Sequence, residues 1–356
     1  MSQYPGYPRP APVAARGASP AYGGAPWGPP TGPRPGGYAP PGFPAPQAPR
    51  PRRRGPWGVV LGAALVLGMI GLGVLIANSL FGQASTVPYA NEDYTPPPVE
   101  QPDDIPVPET YEQLDEFLYA NPVNAERVAS PIRCEINRVD TRTASDPELE
   151  GHFNALMGCE MTTWDRTLES AGWQLFRPPV TIYDTPIQTP CGEMPQRNAA
   201  YCAANQQLYY ASDLPNQPGI EQEASNPTAM DLVMAHEFGH ALQGRTGQFA
   251  AATILMQDAS KEDQLLMSRR IETQADCYAG LYLASAAQST PYTQEDFDNF
   301  LNLAEQLGSD NLTGDPDILS THPRGEARRY WVQTGLSTTE IGKCSTYNVS
   351  DERLTN

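Results

Sequence analysis

Residues 231–243, DLVMAHEFGHALQ, carry the motif on which the interpretation of this chain depends. Apolar and small residues surround the sequence HEFGH at 236–240, which is typical of a buried helix. On a helix, His236 and His240 lie one turn apart on the same face, where both imidazoles can reach one Zn²⁺. Glu237 lies beside them and can accept a proton from water. The chain has only four histidines, so two at this spacing favour a zinc site over a chance match.

A second stretch, ETQADCYAG at 272–280, lies within a helix predicted over Lys261–Gln288. Glu272 and Asp276 are four residues apart and share a face, where two carboxylates among apolar neighbours repel each other and lose solvation. A cation held between them and the two histidines would remove this cost. We therefore expect Glu272 to be the third ligand and Asp276 to accept the N–H of a ligand histidine. The alternative is a solvated acidic face, but the small residues at 275, 279 and 280 favour close packing.

The remaining histidines receive different interpretations. His322 lies in the sequence STHP at 320–323, a loop from which it could point into a cleft and stabilise an oxyanion. The alternative is a surface histidine. His152 opens a helical run far from any motif, and we expect it to be structural.

The first 56 residues differ in composition from the rest of the chain. They hold seven arginines, no acidic residue and 17 of the 38 prolines. Such a segment buries too little apolar surface to offset the entropy of ordering, so we predict a disordered cytoplasmic tail. It could be a proline-rich ligand for a partner or only a solvated leader.

Residues 57–81, WGVVLGAALVLGMIGLGVLIANSLF, are 25 uncharged residues, long enough to span a bilayer. Four arginines at 50–54 precede them and acidic residues follow. The positive-inside rule then places the N-terminus in the cytoplasm and the remainder outside the cell membrane. A signal peptide is the alternative, but its apolar region would be shorter and no convincing cleavage site follows.

Residues 82–108 are rich in proline and acidic residues, and we interpret them as an extended linker. From 109 to 356 the composition is that of a globular domain large enough for a sizeable core. The whole chain carries a net charge of −18, and because residues 1–56 contribute +7, the rest carries −25. This acidity disfavours nucleic acid and anionic lipid as partners.

All six cysteines follow residue 108, and an even count outside the membrane predicts disulfides. No CxxC pair is present, which disfavours a thiolate metal site. Cys191 and Cys202 are close in sequence and form the first predicted pair. Pairing the nearest remaining neighbours gives Cys134–Cys159 and Cys277–Cys344, with other connectivities open.

A coarse secondary-structure prediction places helices at 110–119 and 152–171, strands at 180–183 and 207–211, and mostly helices from about 226 to 307. The strand residues Leu208-Tyr209-Tyr210 are candidates for an edge strand that binds extended substrate backbone. They could equally be ordinary half-buried strand residues.

Taken together, these motifs resemble those of the bacterial neutral zinc metallopeptidases, which combine a membrane anchor with an extracytoplasmic zinc domain. The resemblance covers roughly residues 180–345 and rests on an ordered set of short motifs: PCG at 190–192, YC at 201–202, AHEFGH at 235–240 with Gln243, the 272–280 stretch, TH at 321–322 with Arg328, and Cys344. It implies that His236, His240 and Glu272 bind zinc and that Glu237 is the base.

Two residues depart from the family pattern, Ala203 where proline is usual and Pro323 where glycine is usual. The His-Pro pair followed by Arg328 instead looks like membrane-bound gluzincin peptidases related to heat-shock quality control. Neither departure affects the expected ligands, but both concern the substrate cleft.

The sequence therefore predicts a membrane-anchored, mainly helical α+β zincin-like domain with a small sheet that hydrolyses protein or peptide substrates of the cell envelope. Two alternatives remain at this point. One is a non-catalytic envelope module that zinc stabilises, although such a module usually loses the base, and Glu237 is present. The other is a zinc amidase that acts on a cell-envelope amide.

Overall fold

Nine α-helices and five short strands follow one another along residues 87–355, the part of the chain that the computed structural model describes. The helices are α1 Tyr111–Tyr119, α2 Asp146–Ser170, α3 Ala229–Arg245, α4 Gln248–Gln257, α5 Lys261–Ala286, α6 Gln294–Gln306, α7 Ser309–Thr313, α8 Gly325–Leu336 and α9 Glu352–Thr355. The strands are β1 Val180–Tyr183, β2 Ile187–Thr189, β3 Gly192–Met194, β4 Ala199–Cys202 and β5 Gln207–Ala211. The prediction of a mainly helical α+β domain with a small sheet is confirmed.

The predictions for residues 1–56 and 57–81 lie outside the described residues. Between 87 and 355, none of the helices has the length and apolar composition that crossing a bilayer requires.

Helix α3 contains the HEFGH sequence and lies in the middle of the core, with all 17 of its residues buried. A helix that is buried on every side needs apolar residues all around it and partners for its polar ones. Its first-turn Asp231 accepts hydrogen bonds from His152 Nε2 at 2.6 Å and Tyr292 Oη at 2.9 Å. His152 is therefore structural, as expected, but it is not remote from the motif, because it holds the beginning of the motif helix.

Small residues let three helices approach one another at backbone distance. A Cβ placed on Gly239 of α3 would lie 2.9 Å from Ala275 Cα of α5. On the other side of α5, a Cβ on Gly280 would lie 2.3 Å from the Val332 carbonyl oxygen of α8, and one on Gly335 would meet the Cys277 carbonyl oxygen. Helix α5 is thus held tightly between α3 and α8, and this contact brings the two sequence motifs together.

The main sheet has the strand order β1-β5-β4, with β5 parallel to β1 and antiparallel to β4. Strands β2 and β3 form a separate hairpin. The edge-strand prediction for Leu208–Tyr210 was wrong, because β5 is paired on both sides. The edge strand that packs against α3 is β4, which precedes β5 and turns back alongside it.

The predicted strands at 180–183 and 207–211 match β1 and β5, whereas the helix predicted to begin at His152 begins at Asp146. Ser145 and Glu148 form a capping box at that point, in which the backbone N–H of Ser145 donates to Glu148 Oε2 at 2.8 Å. The capping box satisfies N–H groups that a helix end leaves unpaired, and so it starts the helix six residues earlier.

Three disulfides join the described cysteines in the predicted pairs: Cys134–Cys159, Cys191–Cys202 and Cys277–Cys344. The first ties α2 to the segment before it. The second ties the β2–β3 hairpin to β4. The third ties α5 to the C-terminal segment across 67 residues, the longest closed loop of the three and the one that restricts the unfolded chain most.

Residues 87–108, the described part of the extended linker predicted for 82–108, are irregular and make hydrogen bonds to the domain. We call them the N-terminal strap. Tyr94 Oη donates to Asp165 Oδ2 of α2 at 2.6 Å. The buried Arg245, at the end of α3, donates to the Asp103 carbonyl oxygen at 2.9 Å, and Gln206 donates to the same oxygen at 2.6 Å. The globular unit therefore includes residues before 109.

Removing the strap should weaken the end of α3. A chain that begins at Glu109 would lose the two hydrogen bonds that the Asp103 carbonyl oxygen accepts from Arg245 and Gln206, and each such bond contributes about 0.5–1.5 kcal/mol. We expect a lower thermal midpoint than for a chain that begins at Val87, by roughly 2–4 °C per kcal/mol. Calorimetry of both chains measures this, and equal midpoints would show that the strap contributes no stability.

Gly239 and Gly151 provide a matched pair for the helix contact. Gly239→Ala places a methyl group against the backbone of α5 and should destabilise the domain by about 1–3 kcal/mol, with weaker metal binding. Gly151 is exposed on α2, where a Cβ would meet nothing within 4 Å. Gly151→Ala should instead stabilise by about 0.4–1 kcal/mol. Urea denaturation of the two variants separates a steric effect from helix propensity, and similar effects would contradict the tight contact.

Candidate metal centre

The side chains of His236, His240 and Glu272 converge where α3 crosses α5. His236 Nε2 lies 3.3 Å from Glu272 Oε2, and His240 Nε2 lies 3.7 Å from Glu272 Oε1. The three ligand atoms all lie within 4.8 Å of one another. A tetrahedral Zn²⁺ with bonds of about 2.0–2.2 Å keeps its ligands roughly 3.3–3.6 Å apart. The donor set and its spacing therefore fit a zinc ion.

The Nδ1 atoms of both histidines are engaged on the side away from Glu272. His236 Nδ1 lies 2.8 Å from Asp276 Oδ1, and His240 Nδ1 lies 2.8 Å from Gln243 Oε1. Each of these oxygens accepts a hydrogen bond from an Nδ1–H, so that the Nε2 lone pair of each histidine points toward Glu272, where the candidate ligand atoms converge. Gln243 is itself oriented, because its amide donates to the Ile271 carbonyl oxygen at 2.7 Å.

Asp276 is buried between His236 and a second cation, Arg328 of α8. Arg328 donates to Asp276 through Nε at 3.1 Å and through Nη2 at 2.8 Å. Burial acts to raise the pKa of Asp276, but the charges of Arg328 and His236 outweigh it and lower the pKa below its usual value. Asp276 is therefore a carboxylate that accepts hydrogen bonds from two sides.

The same charges set the protonation of the ligands. Burial acts to lower the pKa of His236, but the charge and hydrogen bond of Asp276 raise it to about 10. Burial acts to raise the pKa of Glu272, but the nearby His322 and His240 hold it well below its usual value. In the metal-free protein His236 thus carries a second proton, on Nε2, at neutral pH. A metal must displace this proton to bind the nitrogen, so we expect metal affinity to fall as the pH falls.

Glu237 is buried next to the ligands and points toward the sheet. Its Oε2 accepts a hydrogen bond from the backbone N–H of Tyr201 on β4 at 2.8 Å. On α3 it is rotated about 100° from His236. The carboxylate is therefore held between the metal ligands and the edge strand without belonging to the ligand set.

His322 lies at the same site. Its Nε2 is 3.7 Å from Glu272 Oε2, and burial lowers its pKa. The loop before α8 thus brings in the third histidine, from a position 50 residues beyond Glu272. This placement leaves the histidine close enough to meet a group bound at the metal.

The sequence analysis named Gln243, Arg328 and Tyr201 only as members of the motifs that carry the family resemblance. It did not predict the contacts of the Gln243 amide, the Arg328 guanidinium or the Tyr201 backbone N–H. Gln243 carried a usable signal, because three residues after His240 on a helix is the same face. The motifs that include Arg328 and Tyr201 gave no contact partner for either residue, since only packing brings α8 and β4 to α3.

Replacing the ligand and its neighbour should separate their roles. In a chain beginning at Val87, Glu272→Ala should abolish tight binding of one Zn²⁺, whereas Asp276→Asn should weaken it about 10–100-fold. Metal analysis after dialysis against a chelator series measures both. Full zinc occupancy in Glu272→Ala would remove Glu272 from the ligand set.

Comparison with known proteins places the site within one family. The family model described as "Putative neutral zinc metallopeptidase" matches residues 123–347, which include every residue of the metal centre. A protein of Escherichia coli K12 named "Uncharacterized protein YpfJ" is 27% identical over 219 residues, covering 59% of this chain and 76% of that protein. "Uncharacterized protein Rv2575" of Mycobacterium tuberculosis H37Rv is 29% identical over 194 residues, covering 49% of this chain and 64% of that protein.

The names of these relatives state no activity, and no solved structure matches the chain. The family model covers more than half of the 356 residues, and its name agrees with a donor set of two histidines and one glutamate. The chain belongs to the family of putative neutral zinc metallopeptidases.

Proposed function

We propose that this protein is a zinc-dependent peptidase that hydrolyses peptide bonds with Glu237 as general base. The observation that supports this most directly is the position of the Glu237 carboxylate. It lies beside the ligands His236 and His240 on the same helix but outside the ligand set. A site that served only stability would not require an ionisable group there, because burying one costs free energy.

Zn²⁺ bound by His236, His240 and Glu272 would polarise the scissile carbonyl and lower the pKa of water to about 7. The residues of the chain supply the rest of the chemistry. Glu237 takes a proton from the attacking water and passes it to the leaving amine. His322 donates a hydrogen bond to the oxygen on which negative charge develops.

Strand β4 offers a place for the substrate backbone. Within the described sheet it pairs with β5 on one side only, and its other edge faces α3, where the Tyr201 N–H meets Glu237. An extended peptide added along this edge would run past the base and the metal ligands. This moves the proposed binding edge from β5 to β4.

We further propose that residues 57–81 anchor the protein in the cell membrane, with residues 1–56 in the cytoplasm and the zinc domain outside. Arginines at 50–54 and the uncharged 57–81 segment support this orientation. The three disulfides support an oxidising location for the domain. Its substrates would then be proteins or peptides of the cell envelope.

The orientation predicts the outcome of a protease experiment. Protease added to intact spheroplasts should digest the zinc domain and spare residues 1–56, which an antibody to the tail detects. Protection of the domain, or a mature chain that starts after Phe81, would contradict the anchor.

Glu237→Gln tests the chemistry, because it keeps the side-chain shape and an oxygen for the Tyr201 N–H but removes the basic carboxylate. Zinc content and thermal midpoint should stay close to those of the unmodified protein. Cleavage of a peptide library should fall by about 10²–10⁴-fold, as for the loss of a general base.

Glu326 is exposed on α8, and Glu326→Gln is the matched control, which should cleave normally. Cleavage by Glu237→Gln at the normal rate would rule out this base. If the unmodified zinc-loaded protein cleaves no peptide, assays on envelope amides test the zinc amidase alternative, and assays for binding partners test the non-catalytic module.

A further inference from the structure

We propose that Arg269 and Arg324 form a carboxylate-binding pair at the mouth of the metal site, so that the enzyme prefers substrates with a negative charge near the scissile bond. This inference rests on the proposed peptidase function and names a class of substrate for it.

One face of α5 leads outward from the core to this pair. Asp276, Glu272 and Arg269 are spaced by four and three residues, so they follow one another along the same side of the helix. Asp276 is buried, the Glu272 side chain is 16% exposed, and Arg269 is half-buried. The rise of 1.5 Å per residue places the Arg269 backbone about 4.5 Å along the helix axis from that of Glu272.

The second arginine of the pair, Arg324, lies at the beginning of α8. Its buried Arg328 meets Asp276, as described above, and Arg324 lies one turn earlier, at the residue that precedes the helix. Arg324 is also two residues from His322, whose ring reaches Glu272. Helices α5 and α8 pack side by side, and the buried ion pair of Asp276 with Arg328 joins them in the core. Nearer the surface, the same two elements carry two cations, Arg269 and Arg324.

Arg269 differs from the other arginines between residues 87 and 355. Each of the others has an ion pair or a hydrogen bond for its guanidinium, whereas the structure gives none to Arg269. The Arg269 pKa is lowered by burial and by the neighbouring charge of Arg324. Arg324 has only a 3.7 Å contact with Asp317, whose side chain is 93% exposed, and such surface pairs contribute little.

A carboxylate is the group that this arrangement fits. Guanidinium groups bind carboxylates through paired, charge-assisted hydrogen bonds, and a half-buried cation pair gains most from an anion between its members. Glu272 does not serve this purpose, because its oxygens face the three histidines. The carboxylate could belong to an aspartate or glutamate side chain or to the C-terminus of a peptide.

The rest of the domain does not favour anions at long range, since the chain beyond residue 56 carries −25. Screening limits that repulsion to about 8 Å at physiological ionic strength. A preference for acidic peptides would therefore come from contact with the two arginines and not from the overall field.

The test compares rates on matched peptides, using the full chain purified in detergent and loaded with zinc. One peptide sequence is made with glutamate or glutamine at each position around the scissile bond, and each version has a free or an amidated C-terminus. We expect kcat/KM at the preferred position to be at least about tenfold higher for the carboxylate than for the amide.

Arg269→Gln and Arg324→Gln should each reduce this ratio toward one. Arg329→Gln is the matched control, because Arg329 is paired with Asn302 and Glu305 on α6, and it should keep the ratio. Zinc content of all variants is measured alongside, so that a lost metal is not taken for lost recognition.

Binding gives a second readout that does not depend on turnover. The Glu237→Gln protein, titrated with the same peptides, should bind the carboxylate versions more tightly, and Arg269→Gln in that background should remove the difference. Equal affinities, or a ratio that persists in both arginine variants, would overturn the proposal. If amidation of the peptide C-terminus abolishes the preference, the bound carboxylate is that of the chain end. If the preference persists, the bound carboxylate is that of a side chain.

A protein that binds acidic peptides selectively but cleaves none would keep this inference and refute the peptidase function. A protein that cleaves glutamate and glutamine peptides equally would keep the peptidase function and refute this inference.

Discussion

The rest of the site depends on the hydrogen bonds that the buried carboxylate of Asp276 accepts from its two neighbours. This carboxylate lies on α5, accepts a hydrogen bond from His236 of α3, and is paired with Arg328 of α8. A buried charge without partners costs several kcal/mol, whereas one with well-placed partners on both sides is tolerated. The three helices therefore have to keep their spacing if this carboxylate is to stay ionised, and the same spacing positions the metal ligands.

Backbone contact between helices makes that spacing possible. Gly239 lies between the two histidines of the motif, and Ala275 lies next to Asp276. Larger residues at these positions would push α5 outward and separate Glu272 from His236 and His240. The small residues that indicated a packed helix in the sequence are thus the reason that Glu272, the third candidate ligand, reaches the two histidines.

The proposed base, Glu237, is held by a different part of the fold. Glu237 is anchored on the edge strand β4, and the Cys191–Cys202 disulfide ties the end of that strand to the β2–β3 hairpin. The N-terminal strap closes over the end of α3 through Arg245 and contacts Gln206 in the turn after β4. Edge strand β4, Glu237 and the strap consequently form one connected unit, through which the segment that follows the proposed membrane anchor contacts α3.

Local spacing in the sequence was enough to predict which side chains meet at the candidate metal centre. His236, Glu237 and His240 lie on one helix, and Glu272 and Asp276 on another, so helical periodicity alone decides which of them share a face. The cysteine pairs agreed with a simple rule of nearest neighbours. What the sequence determined by itself was the set of groups that could hold zinc and the helices that carry them.

Only the tertiary structure decided what surrounds those groups, because the contacts join residues that are far apart in sequence. Periodicity could not show that Arg328 completes the pairing of Asp276, that the strap packs on Arg245, or that His152 holds the beginning of α3. It also could not order the strands, since β4 and β5 are both short and mostly buried. Which of the two is the edge strand depends on where β1 pairs. The proposed pairing of Arg269 with Arg324 has the same cause, because these two residues are 55 positions apart in the chain and only the close packing of α5 against α8 brings their elements together.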